Sequence, residues 1–224
     1  MELSCSSAGA ETTYTALSWW ALAMIAHPEV QRRAQVELDS VVGRSRVPTF
    51  SDVPSLPYIQ AIVKEVLRWR PPLPFSVPHS TTEDDWYNGM FIPKGTICLP
   101  NLWQCHHDPA SYGDDAAMFN PGRFLDPSGK IIPGPAETHG EGHVTFGFGK
   151  RTCIGHHVAN DSLFIFIATT LWAKNLESLG PGRKGEAARY RFVLRHRHCG
   201  VSIRRLSCHF QRRYLLLSIL TRVP

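Results

Sequence analysis

The sequence predicts a mainly α-helical fold with a small β portion. Three separated stretches are rich in apolar residues, the runs from Ala8 to Pro28 and from Ser162 to Ala173 and, with its apolar residues at helical spacing, the segment from Leu56 to Trp69. Between residues 70 and 99, by contrast, prolines break the chain and the apolar runs are short enough only for small strands.

The first helix runs through Trp19, Trp20, Leu22, Met24 and Ile25 to a stop at Pro28, and reads as buried. It opens on Ala8-Gly9-Ala10-Glu11-Thr12-Thr13. Glycine and threonine are weak helix formers, and a threonine hydroxyl can bond the carbonyl one turn back, which loosens the ladder. A weak point of that kind suits a groove that admits water or dioxygen; a Glu-Thr pair capping a helix start is the plainer alternative. In the second helix Ile59, Ile62, Val63, Val66 and Leu67 make the apolar face, and Glu65 and Arg68 share another. As an exposed pair three residues apart they would contribute only about 0.2–0.5 kcal/mol.

Arg70 to His79 is Pro-rich, and Trp86–Phe91 and Thr96–Leu99 follow as strand-like runs with Pro93-Lys94-Gly95 as a turn. Leu73, Phe75 and Val77 suit either the walls of an apolar pocket or an ordinary core. His79, after Pro78, is a candidate anion contact or a solvated edge residue.

Phe146-Gly147-Phe148-Gly149-Lys150-Arg151-Thr152-Cys153-Ile154-Gly155 ends a glycine-punctuated loop on a single cysteine, just before the third helix. Gly147 and Gly149 let backbone pass close to a flat ligand where a Cβ would clash, and Gly155 lets the helix start tight against it. Arg151 can hydrogen-bond an acidic substituent of that ligand. The helix turns the positive end of its dipole towards the sulfur, the sign that suits a sulfur anion binding iron. A buried structural cysteine is the alternative.

At these residues the sequence resembles the heme-binding signature of the cytochrome P-450 family, F-x-x-G-x-R-x-C-x-G, filled by Phe146, Gly149, Arg151, Cys153 and Gly155. Glu11 and Thr12 fall in what looks like the family's distal-helix motif. Glu65 and Arg68 resemble its E-x-x-R pair, which lies inside and is joined by a later arginine. Asn120-Pro121-Gly122-Arg123-Phe124 resembles the end of that later segment and gives the role to Arg123, with Gly122 where a glutamate is usual.

The resemblance implies the C-terminal half of the family's fold, with the N-terminal half absent, and heme (iron protoporphyrin) held by an axial thiolate from Cys153. It further implies Arg151 and His79 on the propionates, Phe146 screening the sulfur, Glu11 as proton-relay acid and Thr12 as the hydroxyl that steadies dioxygen. The activity implied is hydroxylation of an apolar small molecule with O2 and electrons from an NADPH-dependent flavoprotein reductase. The implied location is intracellular, usually the endoplasmic-reticulum membrane. A truncated, inactive fragment of such an enzyme is the alternative.

The 224 residues, 43% of them hydrophobic, are enough for one domain with its own core. No run of about eighteen apolar residues exists, so no membrane span is expected, and a signal peptide is not expected either. The six cysteines show no C-x-x-C spacing and point to a reducing compartment. The pairs His106-His107 and His156-His157 do not favour zinc, since adjacent side chains diverge. Residues 183–224 carry ten arginines and Lys184 against Glu186, a net +10, which leaves −5 for residues 1–182 of a chain whose formal charge is +5. Residues 1–180 are therefore read as a partial domain of the family. The basic tail, residues 181–224, is read as non-native or frame-shifted, and nucleic-acid binding by it is the alternative, not expected.

Overall fold

A computed structural model of the chain describes residues 2–178, 191–197 and 202–207, and only the backbone of residues 2–8 and of the last two strands. Helix α1 (Glu2–Ala26) is followed after one residue by α2 (Pro28–Val41), and α3 is Pro57–Trp69. Pro28 and Pro57 each occupy the first turn of their helix, where no intrahelical N–H bond is lost. On α2, Val30, Ala34 and Leu38 recur every four residues and are all buried. On α3 the buried positions are Ile59, Ile62, Val63, Val66 and Leu67, together with Glu65 and Arg68. The start of α3 is capped from its neighbour, because Glu37 of α2 accepts from the backbone N–H of Tyr58 (2.8 Å) and Ile59 (3.1 Å). Burial nevertheless raises the Glu37 carboxyl above its ordinary pKa.

After α3 come two small antiparallel ladders. Strand β1 (His79–Ser80) pairs with β4 (Ile97–Cys98), and between them β2 (Asp85–Tyr87) and β3 (Met90–Ile92) form a hairpin. Its turn, Asn88-Gly89, has φ of 48° and 79°, the left-handed pair that matches the twist of the flanking strands. Two short helices, α4 (Leu102–His106) and α5 (Pro109–Tyr112), lead into an irregular meander through residue 155. Helix α6 (His156–Ala173) then runs directly into β5 (Lys174–Ser178).

Leu163, Phe164, Ile167, Ala168 and Leu171 of α6 enter one core with Trp20, Ala23 and Met24 of α1 and the apolar faces of α2 and α3. Strand β5 is fixed to α2 by a buried glutamine acting as a strand edge: Gln31 accepts from Leu176 N–H (2.8 Å) and donates to Leu176 C=O (3.3 Å). Beyond it, β6 (Arg191–His196) pairs with β5 and β7 (Ser202–Ser207) pairs with β6. Apart from these strands and Arg197, the basic tail expected to start at residue 181 lies outside the described residues. No described helix is long and apolar enough to cross a membrane.

Candidate functional site

The cysteine loop closes on itself through its backbone. Cys153 N–H donates to Phe146 C=O (2.8 Å), Gly147 N–H to Val144 C=O (3.0 Å) and Thr152 N–H to Gly149 C=O (3.2 Å). A 3-10 turn at Gly149–Arg151 carries the chain round, with φ of 80° at Gly147 and 53° at Gly149, values a side chain would oppose. Cys153 is a free thiol, exposed, three residues ahead of α6. Its carbonyl bonds His156 Nδ1 at 2.8 Å. Arg151 is exposed beside it, Phe146 is half-buried against the core, and a Cβ at Gly155 would lie 3.8 Å from the sulfur. Nothing lies within 4 Å of a Cβ built at Gly149, so that side of the loop is open.

Glu11 and Thr12 lie inside α1, nine and ten residues past its first residue, Glu2, so the capping alternative does not apply. Glu11 is exposed and Thr12 half-buried. The Thr12 hydroxyl donates to Gly9 C=O (3.3 Å) and Thr15 to Glu11 C=O (2.9 Å), the backward bonding that loosens a helix. His79 is exposed on β1, opposite Cys98. Leu73, Phe75 and Val77 are exposed as well.

Glu65, Arg68 and Arg123 meet in one network. Arg68 forks onto Glu65 through Nε (2.7 Å) and Nη2 (2.8 Å), and both side chains are 0% exposed. Its remaining donors reach the carbonyls of His106 (2.6 Å), Ala116 (2.7 Å) and Met118 (3.0 Å). Arg123 Nε lies 3.2 Å from the same carboxylate, which also accepts from Asn120 N–H at 2.7 Å. Sequence reasoning missed a further member: Asp115 accepts from Arg123 Nη1 at 3.1 Å. Its bonds to Asn120 and Arg123 hold its carboxyl below the usual range. Asp115 thus gives Arg123 a second carboxylate, while Gly122 N–H is taken by the Asn120 side chain (3.0 Å).

Two buried histidines near the loop were also missed. His106 Nε2 accepts from Val144 N–H at 3.0 Å, and Thr145 Oγ1 donates to Leu67 C=O at 2.9 Å, so the segment entering the cysteine loop is held to α4 and α3. Burial pushes the His106 imidazole down to about 3, and burial likewise holds His143 well below the ordinary histidine value. The only foresight available was the polar residue itself, since nothing local in the sequence marks either histidine as buried. Arg70, at the end of α3, has its guanidinium carbon 4.6 Å from the Trp69 ring, 4.7 Å from Trp103 and 5.4 Å from Trp19, which ties α1, α3 and α4 together.

The residues fit a flat, iron-bearing ligand on the chemistry of the donor set. They provide one free, exposed thiol as the soft donor, an arginine beside it, and a loop with no Cβ filling its open side. Comparison with known proteins agrees with that chemistry. Residues 3–181 match the family model described as cytochrome P450. A cytochrome P450 monooxygenase of Armillaria gallica is 60% identical over 171 residues, 76% of this chain and 33% of the relative. One from Postia placenta is 59% identical over 171 residues, 76% of this chain and 32% of its own. One from Amanita muscaria is 46% identical over 212 residues, covering 75% of this chain and 38% of the relative. The chain therefore spans about a third of the length of these relatives. With a family match over most of its residues and a cysteine loop of this geometry, the chain belongs to the cytochrome P450 family.

Proposed function

We propose that the chain is a heme-bearing, C-terminal part of a cytochrome P450 monooxygenase, with Cys153 as the thiolate ligand of the iron. The observation that carries this reading is the position of Cys153: a free, exposed sulfur whose own N–H is bonded back to Phe146 C=O and whose carbonyl is tied to the first residue of α6. Both sides of the cysteine are fixed, so the sulfur is presented rather than packed away.

When bound, the heme supplies cleavage of dioxygen and oxidation of an unactivated carbon, with the thiolate favouring the O–O break. The chain's own residues do the rest. Arg151 and His79 bind the propionates and orient the macrocycle. Phe146 shields the sulfur from water. Thr12 offers a hydroxyl at the loosened turn of α1, and Glu11, exposed one residue before it, brings protons in from solvent. Leu73, Phe75 and Val77, apolar and exposed, are the residues that would wall a site for a greasy substrate. Glu65, Arg68 and Arg123 are scaffold that holds α3 to the meander. Electrons come from an NADPH-dependent flavoprotein reductase, and residues 181–224 are a non-native extension of the partial domain in 1–180.

Exposure of Leu73, Phe75, Val77 and Ile154 favours a second reading, in which the 224-residue chain keeps the signature without closing a heme pocket and is inactive. A heme titration separates the two. Saturable one-to-one uptake by the chain, weakened by Arg151→Ala and changed in spectrum by Cys153→Ala, is the expected result; uptake that is unsaturable and indifferent to both variants would select the inactive fragment.

A further inference from the structure

We propose that Glu141 is the positioning residue of the cysteine loop, holding it between α3 and α6 as the middle of a Lys64–Glu141–Asn160 bracket. The inference rests on the reading of Cys153 as the iron ligand. Glu141 lies between two glycines with φ of 80° (Gly140) and 75° (Gly142), so the backbone turns sharply on either side of it. The turn is anchored to Thr138, whose carbonyl accepts from Glu141 N–H (3.0 Å) and whose hydroxyl accepts from Gly142 N–H (2.9 Å). Space there is tight: a Cβ on Gly142 would come within 3.0 Å of the Phe124 ring, and one on Gly134 within 2.8 Å of Gly140.

That turn drives the carboxylate into the gap between the two long helices. One oxygen, Oε2, accepts from Lys64 Nζ of α3 at 3.1 Å; the other, Oε1, accepts from Asn160 Nδ2 of α6 at 2.7 Å. Lys64 also donates to the carbonyls of Gly140 (3.3 Å) and Glu141 (2.9 Å), so all three of its protons go to this turn. Lys64 and Glu141 are 14% and 15% exposed, which removes most of the screening that makes surface pairs weak. Among the described residues the buried Asn160 side-chain oxygen takes no donor, so that amide is held through Glu141.

The bracket's place in sequence gives it its consequence. Glu141 precedes Cys153 and Asn160 follows it, so their bond closes residues 142–159 into a loop whose two ends are pinned together. Lys64 pins the same point to α3, next to Glu65 of the buried network. A loop shortened in this way loses freedom that would otherwise let the sulfur wander, and the gain is greatest for an atom near the middle of the closed segment.

Hydrogen exchange of the full chain without heme, read by peptide, tests this independently of any ligand. Glu141→Ala is expected to speed exchange at Gly147, Thr152 and Cys153 by about tenfold or more while α2 keeps its protection. Asp126→Ala, which cuts a carboxylate from a local turn elsewhere in the meander, should leave those amides unchanged. Lys64→Met and Asn160→Ala each remove one arm and should loosen the same peptides to a lesser degree. They serve in place of Glu141→Ala should that variant not fold. Alkylation of Cys153 relative to Cys98, and after heme loading a shift of the carbon-monoxide spectrum away from the thiolate form, should follow the same order. Exchange that is unchanged, or that rises equally in α2, would overturn the bracket. A wild-type chain whose bound heme shows no ligation by Cys153 would defeat the functional reading and leave the exchange result standing.

Discussion

Arg68 has five N–H donors, and the fold answers each of them with an oxygen, two from Glu65 and three from backbone carbonyls. A buried pair with that much support is costly to break from one side, because the surviving charge is left without a partner. Arg68→Met should therefore destabilise the chain by about 3–5 kcal/mol in urea unfolding followed by tryptophan fluorescence. Arg123→Ala should cost less, since Glu65 keeps its Arg68 fork and the Asn120 N–H. The histidines set a pH dependence. His106 and His143 have folded-state values below their unfolded one, so as pH falls below about 6.5 the unfolded chain takes up protons that the folded chain does not. Stability is whole above that pH and falls on acidification, for His106 down to the folded value of about 3. Unfolding midpoints at pH 7, 6 and 5 should show that fall, and His106→Gln, which keeps an acceptor for Val144 N–H, should reduce its slope.

Helix α3 is the element on which the others are assembled. One face packs against α1, α2 and α6, another carries Glu65 and Arg68 to the meander, and its last residues give the aromatic cradle of Arg70. Its extent and its apolar face were legible, because apolar spacing and a proline at each end are local signals, whereas the burial of Glu65 and Arg68 was implied only by the family resemblance. Strand β5 was not legible: Lys174–Ser178 has no alternating pattern, and on the side away from β6 it is bonded by the Gln31 side chain of α2, a contact across 145 residues. Gln31→Leu should cost about 1–3 kcal/mol by stranding the buried Leu176 N–H and C=O, and hydrogen exchange at Leu176 should report it first. The Asn88-Gly89 turn could have been read, since Asn-Gly between short apolar runs is a strong hairpin signal. Asp115, Lys64 and Glu141 could not, because contacts across 76 residues, as between Lys64 and Gly140, leave no period in the chain.

One buried core joins α1, α2, α3 and α6, whereas Trp86, Phe91, Ile97, Leu99, Val158 and Ile154, the last 93% exposed, remain in water. Together with the exposed Leu73, Phe75 and Val77 they should bind a hydrophobic dye, and light scattering should rise with chain concentration; a dye-silent monomer at all concentrations would contradict that expectation. The loop of the cysteine signature was legible because its geometry is local, needing glycine at two left-handed positions and one sulfur ahead of a helix. The proposed bond from that sulfur to iron is read out by carbon-monoxide difference spectroscopy of the reduced, heme-loaded chain. The red-shifted Soret band of a thiolate-ligated heme should appear in the wild-type chain and vanish in Cys153→Ala. A band at the same position in both proteins, or a wild-type spectrum without the thiolate shift, would contradict it.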